Sequence, residues 1–205
     1  MNSKKLFFMK KKGLNSTWKK IWHFIWEDNS IWSWIVNIIL AFILIKFIVY
    51  PGLGLALGTS YPIVAVVSNS MEHNGLDFDD WWNVKINQYS EYNITKQDFN
   101  DFILKNGFNK GDIIILKGSS PADLEVGSII VFKTYRPDPI IHRVIKKWKE
   151  GDNYYFQTKG DNNAISINFE ERISEDNIIG RSLFKVPYLG YIKIWFVDLL
   201  KVFIK

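Results

Sequence analysis

With no cysteine in its 205 residues, this chain can form no disulfide framework, thiolate nucleophile or Cys-ligated zinc site, so covalent catalysis must use another side chain. A histidine acid or base working near neutral pH has three candidates, His23, His73 and His142. His23 lies among N-terminal tryptophans and reads as an interfacial residue. His73 stands three positions after Ser70, in Ser68-Asn69-Ser70-Met71-Glu72-His73; that is close for side-chain pairing, although a turn permits it. His142 sits in the apolar run IIHRVIKK, where a lone imidazole is more often a structural residue hydrogen-bonded to backbone. A carboxylate, Asp161, follows in TKGDNN, although Gly-Asp-Asn-Asn is good turn chemistry whatever its function. No carboxylate cluster or His pair suggests a metal site, and no cofactor is expected. Without a phosphate loop, and with lysines spread along strands as a solvated face, no nucleic-acid partner is expected either.

The elements that would position these residues fall into four segments. Lys4, Lys5, Lys10, Lys11, Lys12, Lys19 and Lys20 form a basic head in which Trp18, Ile21, Trp22, Ile25 and Trp26 recur at near-helical spacing. Residues 1–30 thus read as a basic, Trp-rich interfacial segment. The run from Ile31 to Tyr50 carries one charge, Lys46, and has the roughly 20 apolar residues that cross a bilayer core. It predicts a transmembrane helix over 31–50, with Lys46 snorkelling at its end and Pro51-Gly52 as its stop. The lysines before it place the N-terminus in the cytoplasm and residues 51–187 outside the cell membrane. In that domain, short β-branched runs separated by Gly, Pro, Asp and Asn predict a mainly β, antiparallel fold, with Ser70 at the end of a buried strand. A polar and aromatic stretch over about 77–109, with Trp81, Trp82 and a Thr95…Asp98 cap signal, reads as a helical insertion. Asn93-Ile94-Thr95 matches the glycosylation acceptor pattern, a short motif of little weight. Residues 188–205, apolar but broken by Lys193, Asp198 and Lys201, predict a membrane-associated helix, interfacial or a second span, or else a core helix of the domain.

In order along the chain stand SNSM, GDIII, GSIIVFK, IIHRVI and TKGDNN. These segments resemble the conserved boxes of the signal peptidase I family, and a His in the HRVI box resembles its archaeal and endoplasmic-reticulum branch. The resemblance covers roughly Tyr61 to Ile192, interrupted by the insertion. It implies an antiparallel β peptidase domain in which Ser70, immediately before Met71, is the nucleophile and His142 its general base. A serine hydroxyl needs such a base to attack a peptide carbonyl. The Ser70 backbone N–H, with the Ser68 hydroxyl as second donor, would form the oxyanion hole; Ser68 is equally well explained as a turn hydroxyl. Asp161 is the first candidate for the carboxylate that orients His142. Relatives in this branch usually carry another Asp a few residues after GDNN, where this chain has Ser166 and Ile167, so Glu170 or Glu171 are alternatives. A second departure is His73, where many relatives have Pro.

The implied function is a membrane-bound serine endopeptidase that cleaves signal peptides from secreted preproteins on the extracytoplasmic face. The expected partners are such preproteins, membrane lipid and the secretion channel. The strand Ile63 to Val67 would pair with the extended substrate by β-augmentation. Two other readings stay open: a tethered serine peptidase with a regulatory or self-processing substrate, and a non-catalytic β module binding a partner through Trp81 and Trp82.

Overall fold

The structure, a computed structural model, describes residues 16–203; Lys4, Lys5, Lys10, Lys11 and Lys12 of the basic head lie outside the described residues. The chain divides after Gly52 into two compact units. In the first, helix α1 (16–26) carries Trp18, Trp22 and Trp26, all exposed, at i, i+4 spacing that makes one stripe. Ser30 caps the next helix by accepting from the Ser33 N–H, because an N-cap hydroxyl satisfies a backbone donor that the helix cannot.

That helix, α2, runs over Ile31–Leu57, and its 27 residues are long and apolar enough to cross a membrane. Its large side chains, among them Trp34, Ile38 and Phe42, are exposed, a surface suited to lipid rather than water. The stop expected at Pro51 is not where the helix ends. A π-helical turn over Ile45–Val49, capped by Tyr50, lies just before the proline, and such a widened turn accommodates both the missing N–H and the ring. The helix closes instead at Gly58, whose φ of 63° is the left-handed conformation that ends helices.

The second unit is built on one antiparallel sheet of seven strands in the order β1-β2-β7-β3-β4-β5-β6. Its strands are β1 (Ile63–Ala65), β2 (Ile113–Lys117), β3 (Ile129–Phe132), β4 (Ile140–Glu150), β5 (Asn153–Lys159), β6 (Ile173–Ser174) and β7 (Ile178–Val186). This is the mainly β architecture that the short apolar runs imply. Every residue of β3 is buried, since alternate side chains enter two cores. Ile129 and Val131 pack with Val66, Met71, Phe108 and Ile141. Ile130 and Phe132 pack with Val144, Phe156 and Ile173 on the other face.

The insertion between β1 and β2 is helical. Asp77 caps α3 (Phe78–Ser90), and a Thr95–Asp98 capping box starts α4 (Lys96–Asp101). Trp81, Trp82, Tyr89 and Phe99 form a third core with Ile94 and Ile145 of β4. Burying 150–250 Å² per indole at ~25 cal/mol per Å² is worth roughly 4–6 kcal/mol each. The two tryptophans, 1% and 2% exposed, thus weld the insertion to the sheet and offer no surface to a partner. A last helix, α5 (Tyr191–Phe203), follows β7.

Candidate active site

Consecutive side chains of a strand point to opposite faces, and β4 uses this to separate His142 from Arg143. His142 pairs in register with Ile130 and Arg143 with Ile129, so each follows a different core. On the first face, His142 Nε2 lies 2.9 Å from Ser70 Oγ, across 72 residues of sequence. The hydroxyl of Ser68 is 3.1 Å from the same oxygen. Ser70 occupies the turn that continues β1, and its carbonyl is held by the Asn162 N–H at 2.8 Å. The Asn162 side chain donates to the Asn69 carbonyl at 3.1 Å, so the GDNN loop clamps the serine turn from two sides.

Behind the imidazole, His142 Nδ1 is hydrogen-bonded to Glu170 Oε1. Glu170 is fully buried. Its Oε1 also accepts from the Thr158 hydroxyl at 3.2 Å, and its Oε2 accepts from the Ile167 N–H at 3.2 Å. A 3₁₀ turn, Asn168–Glu170, delivers this carboxylate. As an acceptor, the ionised carboxylate requires the imidazole hydrogen to sit on Nδ1, which leaves the Nε2 lone pair facing Ser70. Glu171, the other alternative, is exposed.

Asp161 is placed elsewhere, on the Arg143 face. Its Oδ1 accepts from Tyr89 OH at 2.9 Å and Arg143 Nε at 2.9 Å. Its Oδ2 accepts from an Arg143 amino group at 2.7 Å, and His73 Nε2 stands 3.4 Å away. The remaining Arg143 donors reach the carbonyls of Ile103, Gly127 and Leu104. Burial by itself would raise the Asp161 carboxyl; the Arg143 charge, with hydrogen bonds from His73 and Arg143, outweighs it and holds the group well below the usual carboxylate range. A carboxylate so engaged on the opposite face is not available to orient His142. In the structure Asp161 faces Arg143 and Glu170 faces His142, since strand parity decides which face a loop carboxylate meets. His73, likewise, is turned to Asp161 rather than to Ser70.

Sequence reasoning did not single out Arg143 or Tyr89. The available signal was a guanidinium inside an apolar strand run, since a buried arginine demands a buried partner. Ser70 and His142 line an open groove of about 430 Å³, walled by Val64, Val66 and Ile141 together with the Arg136–Pro139 loop. It runs along β1, which is an edge strand of the sheet and has backbone groups to offer an extended peptide.

No protein-family model matches the chain. It is similar to the signal peptidase complex catalytic subunit sec11 of Schizosaccharomyces pombe, at 33% identity over 117 residues, 44% of this chain and 61% of that protein. It is similar over a longer stretch to subunits of the same name from Pyricularia oryzae (27% identical) and Metarhizium robertsii (26%), in each case across 72% of this chain and 71% of the relative.

Proposed function

We propose that this chain, a homologue of the endoplasmic-reticulum-type signal peptidase I catalytic subunits, is a membrane-bound serine endopeptidase that removes signal peptides from preproteins. The observation that carries the reading is the contact of 2.9 Å between Ser70 Oγ and His142 Nε2, with Glu170 behind the imidazole and an edge-strand groove in front of it. Ser70 attacks the scissile carbonyl as His142 takes its proton, and the imidazolium then protonates the leaving amine. Water activated by the same ring hydrolyses the acyl-enzyme. Glu170 holds the imidazole in the required tautomer and stabilises its charged form. The Ser70 N–H and the Ser68 hydroxyl receive the oxyanion.

The substrate lies extended in the groove and pairs with the edge of β1, its side chains entering the apolar wall at alternate positions. α2 is the anchor, with the N-terminus cytoplasmic and the β domain outside the cell membrane, within reach of the secretion channel. α5 meets the lipid surface lengthwise. Ile192, Trp195, Phe196 and Leu199, all exposed, recur at the i, i+3, i+4, i+7 spacing of one helical stripe, while Lys193, Asp198 and Lys201 share the opposite side.

Ser70→Ala tests the reading. In detergent or reconstituted vesicles the variant should fold like wild type, lose processing of a model preprotein and resist a serine-directed acylating probe that labels wild type. Normal processing by Ser70→Ala would remove it.

A further inference from the structure

His73 has no part in the mechanism above, since it contacts neither Ser70 Oγ nor His142. Yet it is only 4% exposed, and its surroundings are built around it. The ring stacks on Trp81 of α3 with centroids 3.8 Å apart and planes 2° from parallel. A Cβ at Gly107 would come within 2.7 Å of His73 Cδ2 and 2.2 Å of the Met71 carbonyl oxygen, so the opposite wall has room only for glycine. Nε2 faces the Asp161 carboxylate at 3.4 Å, and Nδ1 is buried without a partner among the described residues.

The orphaned nitrogen is informative. If His73 served packing alone, an apolar ring would stack on Trp81 equally well and bury no unsatisfied polar atom. What an imidazole adds is the hydrogen on Nε2, which the acceptor-only carboxylate of Asp161 requires. This hydrogen bond closes a circuit. From Ser70 the chain turns through Met71 to His73, His73 holds Asp161, Asp161 holds Arg143 through two bonds, and Arg143 is the neighbour of His142 on β4. The turn bearing the hydroxyl and the strand bearing the base are thus tied together through Asp161 and Arg143.

We propose that His73 is a positioning residue whose Nε2–H, donated to Asp161, sets the approach of Ser70 to His142. The inference rests on the peptidase reading. Misplacement of a reacting atom by about 1 Å costs on the order of 100-fold in rate with little change in binding, so the effect belongs in kcat and not in KM.

Three substitutions in the full-length chain separate donor from filler. His73→Gln can place an amide N–H near the position of Nε2 while giving up the ring stack. His73→Phe keeps a stacking ring without the donor, and His73→Leu is a second donorless variant in case the larger phenyl ring prevents folding. Cleavage of a signal-peptide substrate and thermal unfolding are measured for each. His73→Gln is expected within about threefold of wild-type kcat, and the donorless variants about 10- to 100-fold lower, all with KM near wild type. Wild-type kcat in a donorless variant overturns the proposal. So does His73→Gln as slow as His73→Leu, or a loss of kcat that follows Tm across the set. Absence of cleavage by wild type would instead refute the peptidase reading itself.

Discussion

Replacing Glu170 by Gln keeps the size of the side chain and removes its charge and one of its two acceptors. In the wild-type site the two carboxylate oxygens receive the His142 ring N–H, the Thr158 hydroxyl and the Ile167 N–H. Glutamine has one oxygen to divide among them. If that oxygen faces His142, the amide NH₂ is pressed against the Ile167 N–H, donor against donor in a fully buried place. If the amide flips, the NH₂ points at Nδ1 and draws its lone pair, so the ring hydrogen moves to Nε2. The flipped form satisfies the backbone and should prevail. The base then presents a hydrogen to Ser70 instead of a lone pair. In a serine triad, removing the orienting charge while leaving the geometry costs about 10⁴-fold in kcat. We therefore expect about 10³- to 10⁴-fold here, equivalent to roughly 4–5.5 kcal/mol at 1.36 kcal/mol per tenfold. KM should be unchanged, because Glu170 lies behind the imidazole and not in the groove. Single-turnover cleavage of a preprotein by reconstituted enzyme, with Glu171→Gln as the exposed control, measures this. Glu170→Gln within tenfold of wild type, or Glu171→Gln as damaging, would refute the orienting role.

Two further outcomes are expected. Burial lowers the Lys159 ammonium from 10.5 to about 8. Below pH 8 both folded and unfolded chains hold the proton. Between about 8 and 10.5 the unfolded chain binds more protons, so stability should rise with pH there. The rise approaches about 3 kcal/mol at 1.36 kcal/mol per unit. Denaturant unfolding between pH 8 and 10 should show a rising midpoint in wild type and a flat one in Lys159→Met. The window stops at 10 because Tyr89, pushed up by burial and then by Asp161, keeps its proton in the folded chain while the unfolded chain releases it, which lowers stability above that pH. For α5, the absence of native cysteine allows a single environment-sensitive dye. At Leu199→Cys it should shift to the blue on reconstitution into vesicles, and at Lys193→Cys it should not; equal shifts would contradict an interfacial helix.

Much of this architecture was legible in residue order. The apolar run from Ile31, the β-branched runs and the Thr95–Asp98 cap each act through local physics: hydrophobic length, alternation and a satisfied backbone donor. The proximity of Ser70 and His142 was not a local property and entered through the ordered boxes. Where reading failed, the cause was non-local. Pro51 signals a stop only if the preceding turn stays α-helical, and the π turn at Ile45–Val49 removes that condition. Asp161 and Glu170 look interchangeable as loop carboxylates; only the pairing of β4 with β3 and β5 decides which of them sees the imidazole. Trp81 and Trp82 were compatible with a docking surface until the packing of the insertion on Ile145 accounted for them.

The alternation of His142 and Arg143 along β4 makes the protein sensitive to parity. Sliding β4 by one residue against β3 would exchange the two side chains. The hydroxyl would then meet a guanidinium, which has no lone pair to take a proton, and an imidazole would be left opposite Asp161. A displacement of two residues would keep the faces and misplace the side chain only along the strand. The pairing of β4 with β3 therefore counts in parity: a slip by an odd step inverts the chemistry and a slip by an even step only detunes it.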